Sequence, residues 1–401
     1  MEIKKILKRP IMFVITILAV IGVLLMLLFY TYKGKNSYQD SISQLLHQYS
    51  GELSEAEQKN ILEKKEELEE YIFQFNENHV LPQEYSEDSL KVEVNQYNAL
   101  TKQIQYYKEL QADRKKVVEN VARVRKLEEK AGVLGHYNKT LYDQIEADYS
   151  KEIRCEVYDN QGVTTLFDVL ELHTWDFLLV LLFVILYCGM FSYEHEKSVF
   201  NSIYSCRDGR GSLYIKKLRA AMTITFVYSI ILMTASILIV YVQYKITGVS
   251  EPLQTIQEFK YYPYNWTILQ GLLFVCSMKV IALEVMTIFI CTVSTFFKKS
   301  VITALVCGIL LFGGMGFYYY CNYIISYGAN VTEFASNVIE KMKTAVCIPF
   351  LESDTYFEMY DEINVLGDPL NRMWLNLIVT LLVGAVLFGL GLWSYSKKQR
   401  E

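Results

Sequence analysis

No G-x-x-x-x-G-K-[ST] segment occurs in the chain, so it has no P-loop with which to cradle nucleotide phosphates. There is no H-x-x-x-H pair, no G-x-S-x-G elbow and no Cys/His cluster, which removes the usual marks of zinc and serine hydrolases. The histidines, His47, His79, His136, His173 and His195, are scattered. His195, between Glu194 and Glu196, invites an acid–base or metal reading, but the run reads equally well as a charged loop. No residue is therefore given a catalytic or metal-binding role, and no cofactor is expected on this chain. The cysteines show no C-x-x-C spacing, and most fall in apolar runs, where a thiol serves as a small apolar side chain. Cys155, Cys321 and Cys347 are the ones placed to meet an oxidising exterior, and no spacing pairs them. A net charge of −5 is too mild to point to a nucleic-acid partner.

What the sequence has is apolar length. Hydrophobic residues gather in six runs, 11–30, 174–193, 220–244, 266–297, 301–325 and 373–395. Each is about 20 residues or more, the length a helix needs to cross a bilayer. In lipid only a helix or a closed barrel satisfies its backbone, and runs this long read as helices. The first follows a basic start but is not followed by a small-residue cleavage site at Phe29-Tyr30-Thr31, so it reads as a retained span rather than a signal peptide. Lysine and arginine set the orientation. Lys4, Lys5, Lys8 and Arg9 precede span one, and Lys197, Arg207, Arg210, Lys216, Lys217 and Arg219 lie between spans two and three. Lys298 and Lys299 lie between four and five, and Lys397, Lys398 and Arg400 follow six. The expected protein is an all-α, multi-pass protein of the cell membrane. It has six transmembrane helices and cytoplasmic N- and C-termini. Residues 1–30 are the N-terminus and first span, 31–173 an extracellular helical domain, and 174–401 a five-helix membrane region.

Within 31–173 the pattern is helical. Ser54-Glu55-Ala56-Glu57 has the form of a capping box and opens a helix with the stripe Ile61, Leu62, Leu68, Ile72 and Phe75. After a turn at residues 79–82 comes a longer stripe: Tyr97, Leu100, Ile104, Tyr107, Leu110, Val117, Val121, Val124, Leu127, Ala131 and Leu134. Its 3- and 4-residue spacing is that of a coiled coil. One helix over 86–134 is about 70 Å long. The preceding helix is its expected partner, in an antiparallel hairpin standing off the membrane. A small β-hairpin is expected over 153–167, turning at Asp159-Asn160-Gln161-Gly162. The domain reads as a spacer or as a docking arm, and both readings stay open.

The connection between spans two and three is more pointed. It reads FSYEHEKSVFNSIYSCRDGRGSLYIKKLRA from Phe191. Val199, Phe200, Ile203 and Tyr204 give an amphipathic turn, and residues 207–211 read as a break. Basic residues alone set orientation, so Glu194 and Glu196 need another explanation. This stretch resembles the first cytoplasmic connection of type-2 ABC transporter permeases of the Gram-positive kind. Phe191, Ser192, Glu194 and Glu196 match its start, Ser205, Gly209 and Arg210 its middle, and Lys216 or Lys217 its end. Ser198 and Cys206 depart from the pattern, standing where glycine or threonine is usual. The resemblance covers 174–401 by organisation and does not extend to 31–173. It implies that segment 194–219 holds a coupling helix seated on a separate ATP-binding subunit. The contacts implied are Glu194, Glu196, Arg207, Arg210 and Lys216, with the charges also pairing with lipid or a neighbouring span. A second permease copy, or a related permease, would complete the pathway.

Two charges, Lys279 and Glu284, sit inside the fourth run, where each is costly. They read as a satisfied or snorkelling pair, or as candidates for the translocation pathway. Tyr261, Tyr262, Tyr264, Trp266, Tyr318, Tyr319 and Tyr320 read as an interfacial belt. Residues 346–350 read as a short helix dipping to the outer membrane surface. The functional expectation is the membrane subunit of an exporter powered by another chain's ATPase. The alternative is a non-transporting scaffold or sensor whose extracellular coiled coil recruits a partner in secretion or envelope stress.

Overall fold

The computed structural model describes residues 10–33, 37–78, 81, 85–153, 156–196, 209–327, 332–357 and 361–397. In chain order they form α1 (Pro10–Lys33), α2 (Ser37–Gln48), β1 (Gly51–Glu52), α3 (Glu55–Asn78), α4 (Glu87–Ala131), α5 (His136–Tyr149), β2 (Glu156–Val157), α6 (Gln161–Leu170), α7 (Thr174–Tyr187) and α8 (Gly189–Glu196). Then follow α9 (Gly209–Tyr244), α10 (Ile268–Phe296), α11 (Ser300–Tyr327), α12 (Thr332–Ala345), β3 (Glu362–Val365), β4 (Asp368–Asn371) and α13 (Arg372–Lys397).

Five stretches are long and apolar enough to cross a membrane: Gln161–Glu194, Gly211–Tyr244, Ile268–Phe296, Ser300–Ile325 and Arg372–Ser396. They overlap the second to sixth expected runs, the fourth being shorter by two residues at its start and one at its end. α1 is a sixth apolar helix, 24 residues long. It packs on α7 and α9, burying Val23 and Leu27 in the same core, and its Thr31 carbonyl accepts a 2.8 Å hydrogen bond from Tyr244. α10 is the centre of the bundle. It packs against α7, α8, α9, α11 and α13 and is buried around most of its circumference, as expected of a helix apolar on every side. Its start is fixed by a capping box, with Thr267 N–H on Gln270 Oε1 at 2.9 Å and Gln270 N–H on Thr267 Oγ1 at 3.3 Å.

The domain between α1 and α6 is built on α4. Ser54 and Glu57 cap α3 reciprocally, Ser54 N–H donating to Glu57 Oε2 at 2.8 Å. Ser86 caps α4, and Gly132, at φ 70°, closes it. At 45 residues α4 is about 68 Å long. α3 has only 24 residues, so it covers the first half alone. There Leu68 packs with Leu90 and Val94, and Ile61 packs with Leu100, Ile104 and Leu46. The second half has a different partner, which corrects the single-hairpin expectation. It pairs with α5 through polar contacts: Arg125 to Asp143 at 2.7 Å, and Asn138 and Tyr142 to Glu128 at 3.1 and 3.0 Å. Val124, Leu127 and Val133 are left exposed. The arm is also fastened to the bundle. Tyr106 donates to the Gln254 carbonyl at 2.7 Å, Lys260 pairs with Asp113 at 2.8 Å, and Tyr149 donates to the Tyr261 carbonyl.

Three other expectations change. Among the described residues of 153–167 no hairpin forms: Glu156–Val157 pairs with Gly51–Glu52, and Asp159 Oδ1 accepts from Gln161 N–H to open α6. The supposed turn residues start a helix because Val163, Leu166, Phe167 and Leu170 form one buried face. Tyr262 and Tyr318 are buried in the core and cannot serve a belt, whereas Tyr261, Tyr319 and Tyr320 are exposed. The segment Ile348–Phe357 is a buried 3-10 turn rather than a surface helix. Its Phe357 ring packs on Phe259, Tyr262 and Phe274 with centroids 5.1–5.7 Å apart.

Gly248 marks the tightest seat of the arm. At φ 70° it has a Cβ direction that would fall 2.2 Å from Tyr158 Cδ2, and Tyr158 itself reaches Thr255 at 2.5 Å. Gly248→Ala combines backbone strain with displacement of that ring, so it is expected to cost more than about 1 kcal/mol. An unchanged unfolding midpoint in detergent would count against this seat. Nearby, burial first and the Glu156 carboxyl second push Glu251 up to about 7, from an ordinary 4.5. Because the folded state holds this proton more tightly, its stabilising effect is full below 4.5 and is lost as pH rises through about 7. Hydrogen exchange at β1 and β2 should therefore quicken over that range beyond its intrinsic pH dependence. Glu251→Gln should remove the excess, and an unaltered excess would refute the assignment.

Candidate functional site

The connection between α8 and α9 is anchored at both ends. Apolar Tyr214 and Leu218 pull α9 into the core, so the helix starts at Gly209 rather than near Ala220. This corrects the expected break: Gly209, Arg210 and Gly211 are already helical. Lys217 shares the buried face of Tyr214 and Leu218. Its ammonium pairs with Glu194 Oε1, donates to the Met190 carbonyl at 2.7 Å and lies 5.1 Å above the Phe191 ring. Glu194 Oε2 accepts from Tyr395 of α13 at 2.8 Å. The pair is nearly closed to solvent, with side chains 10% and 13% exposed. Glu196 reaches α11, where its Oε1 accepts from Ser300 N–H at 2.7 Å and from Ser300 Oγ at 2.8 Å. A carboxylate there satisfies an orphan N–H and complements the positive end of the helix.

The sequence-based candidates therefore separate. Glu194 and Glu196 are joined to this chain's own helices. Lys216 is exposed on α9, one residue from Lys217 but on the opposite face. Arg210 lies in the first turn of α9, and Arg207 and the amphipathic turn at 199–204 lie outside the described residues. Tyr395 was not singled out from sequence, and Lys217 was named only as an alternative to Lys216 at the end of the resembling stretch. Only the facing of Tyr214, Lys217 and Leu218, one turn apart, hinted at the lysine.

Lys279 and Glu284 are not brought together. Lys279 is buried and pairs with Asp176 at 2.8 Å, and it donates to the carbonyls of Leu170 and Glu171 at 3.1 Å each. Asp176 Oδ2 also accepts from His173 N–H at 2.9 Å, capping α7. The chain breaks between α6 and α7, and a helix end inside a bundle leaves carbonyls without partners. Lys279 supplies the donors. Asp176 was missed because it stands at the edge of its apolar run, where an acid reads as an ordinary helix start. Glu284 points elsewhere, into a groove between α9, α10 and α13.

Among the described residues no group of three or more His, Cys, Asp or Glu side chains is placed to hold a metal ion. Cys188, Cys276, Cys291, Cys307, Cys321 and Cys347 are in no disulfide. No protein-family model, curated protein or solved structure matches the chain.

Removing one member of a buried pair strands the other, at a cost of about 3–5 kcal/mol. Lys279→Met and Asp176→Asn are each expected to destabilise by that amount, and the double variant by clearly less than the sum. Additive losses in detergent unfolding would show that the pair is not coupled.

Proposed function

We propose that the chain is the membrane-spanning permease subunit of an ABC exporter, working with a separate ATP-binding subunit. It lies in the cell membrane in six crossings, with both termini and segment 194–219 cytoplasmic and the α2–α5 arm extracellular. Two copies, or one copy and a related permease, form the pathway. ATP is bound and hydrolysed by the partner, and this chain has no catalytic residue.

The observation that supports this reading most is the fastening of segment 194–219. Through Glu194, Lys217, Tyr395, Glu196 and Ser300 it joins the connector-side ends of α8, α9, α11 and α13. A displacement applied to such a segment moves four helices together, which is what a coupling element must do. The acidic pair then takes a different role from the one the resemblance implies. Glu194 and Glu196 transmit movement within the chain, and Arg207, Arg210 and Lys216 are left to contact the ATP-binding subunit.

The scaffold reading draws on the exposed Val124, Leu127 and Val133 of the arm, which offer a partner an apolar edge. Capture experiments separate the two. Arg207→Ala and Arg210→Ala should lower co-purification of the cognate ATP-binding subunit while the bundle stays folded. Losing one such interfacial contact costs about 1–3 kcal/mol, which is roughly a 5- to 150-fold weaker association. Undiminished capture and undiminished stimulated hydrolysis in both variants would remove the coupling assignment. Failure to capture any ATPase would favour the scaffold. In a cysteine-free background, cysteines placed in α3 and α4 should be labelled from outside, and those at 205–211 only after permeabilisation. Outside labelling at 205–211 would reverse the orientation.

A further inference from the structure

The groove that holds Glu284 has a volume of about 480 Å³ and lies between α9, α10 and α13. That is within the range of pockets that take small organic ligands. Its walls are apolar, including Met222, Ile281, Val285, Leu381 and Phe388. Gly384 and Ala385 make it concave by supplying almost no side chain, and a Cβ on Gly384 would already touch Val285 at 3.4 Å. Ala385 and Leu381 are exposed, so the groove opens sideways, where a bilayer would lie.

Into this apolar setting the chain places one carboxylate. Glu284 is twelve residues, about 18 Å, along α10 from its end at Phe296. Its Oε2 is buried and has no hydrogen-bond partner among the described residues. The neighbouring cation on α10, Lys279, is committed to Asp176 and to two carbonyls. Arg219 also lines the groove, two residues from Lys217 and so toward the connector-side end, and is not within ion-pair distance of Glu284. An uncompensated carboxylate at membrane depth calls for a positive partner. A well-hydrated cation would not leave water for this site, because apart from Arg219 the rest of the lining is hydrocarbon.

We propose that this groove is a binding site for a lipophilic organic monocation that enters from the bilayer, with Glu284 as its counter-ion. The apolar body fills the space over Gly384 and Ala385, and the delocalised charge meets the carboxylate. The proposal rests on the exporter reading only in making such a cation the cargo class. Binding itself belongs to the groove and needs no ATPase.

The test uses the full chain in lipid nanodiscs without nucleotide, with tetraphenylphosphonium as the cation and triphenylphosphine as a neutral relative. Wild type should bind the cation saturably. Glu284→Gln, which keeps the shape and removes the charge, should weaken cation binding at least tenfold and leave triphenylphosphine unchanged. Ala385→Leu narrows the groove from its exposed side, away from the packed core, and should weaken both ligands. Absence of saturable cation binding by folded wild type, or equal affinity in wild type and Glu284→Gln, would overturn the proposal. So would loss of co-capture between two differently tagged copies in Ala385→Leu with cation binding intact, since the groove would then seat a second copy. None of these failures touches the ATPase-capture result, and failed capture leaves the groove standing.

Discussion

The membrane bundle depends on a lysine in the interior of its central helix, α10. Lys279 faces the one place where the neighbouring chain path is broken, between α6 and α7, and meets Asp176 and two carbonyls there. Without that break the lysine would lose its two carbonyl acceptors, and without the lysine the carbonyls of Leu170 and Glu171 would lack these bonds. Each defect satisfies the other. The arrangement locks α10 to the α6–α7 junction, and α10 in turn touches most of the other long helices. This contact fixes the height of α10 against the α6–α7 junction, and hydrogen bonds such as Thr225 to Thr287 at 2.8 Å and Thr292 to the Leu387 carbonyl at 3.0 Å fix it against α9 and α13.

The opposite end of the bundle is held by the same physics in a shallower setting. Lys217 and Glu194 close on each other against Phe191 and Tyr395, and Glu196 caps α11. Two polar clasps, one at the arm side and one at the connector side, therefore bracket α7 and α8. A segment held at both ends can pass displacement from one end to the other, which is the property the proposed coupling requires. Glu284, unlike Lys279 and Lys217, has no such clasp among the described residues, and it faces a groove.

On the arm side, the length of α4 decides the design. A 45-residue helix cannot be covered by a 24-residue partner, so it divides its length between α3 and α5 and rests its middle on the loops around Gln254 and Lys260. The first half is held by apolar packing and the second by charges, which leaves Leu127 and Val133 facing solvent.

Much of this was written in the sequence. Unbroken apolar runs of twenty residues and more have few structural solutions, and the capping box at Ser54 and the stripe of α4 are local patterns with local causes. These features depend on neighbours three or four residues apart, so periodicity reveals them. Other features depend on residues far apart in the chain. Asp176 and Lys279 are separated by 103 positions and Glu194 and Tyr395 by 201, and no spacing rule joins such pairs. The same holds where Asp159-Asn160-Gln161-Gly162 starts a helix instead of a turn, because the buried face of α6 outweighs local turn preference. The sequence by itself determined a helical chain with membrane-length apolar segments and a long polar arm. Only the tertiary structure decided that Lys279 and Lys217 are paired and that Glu284 is not. Pairing is a property of what two folded surfaces bring within a few ångströms, and that cannot be read along one strand of residues.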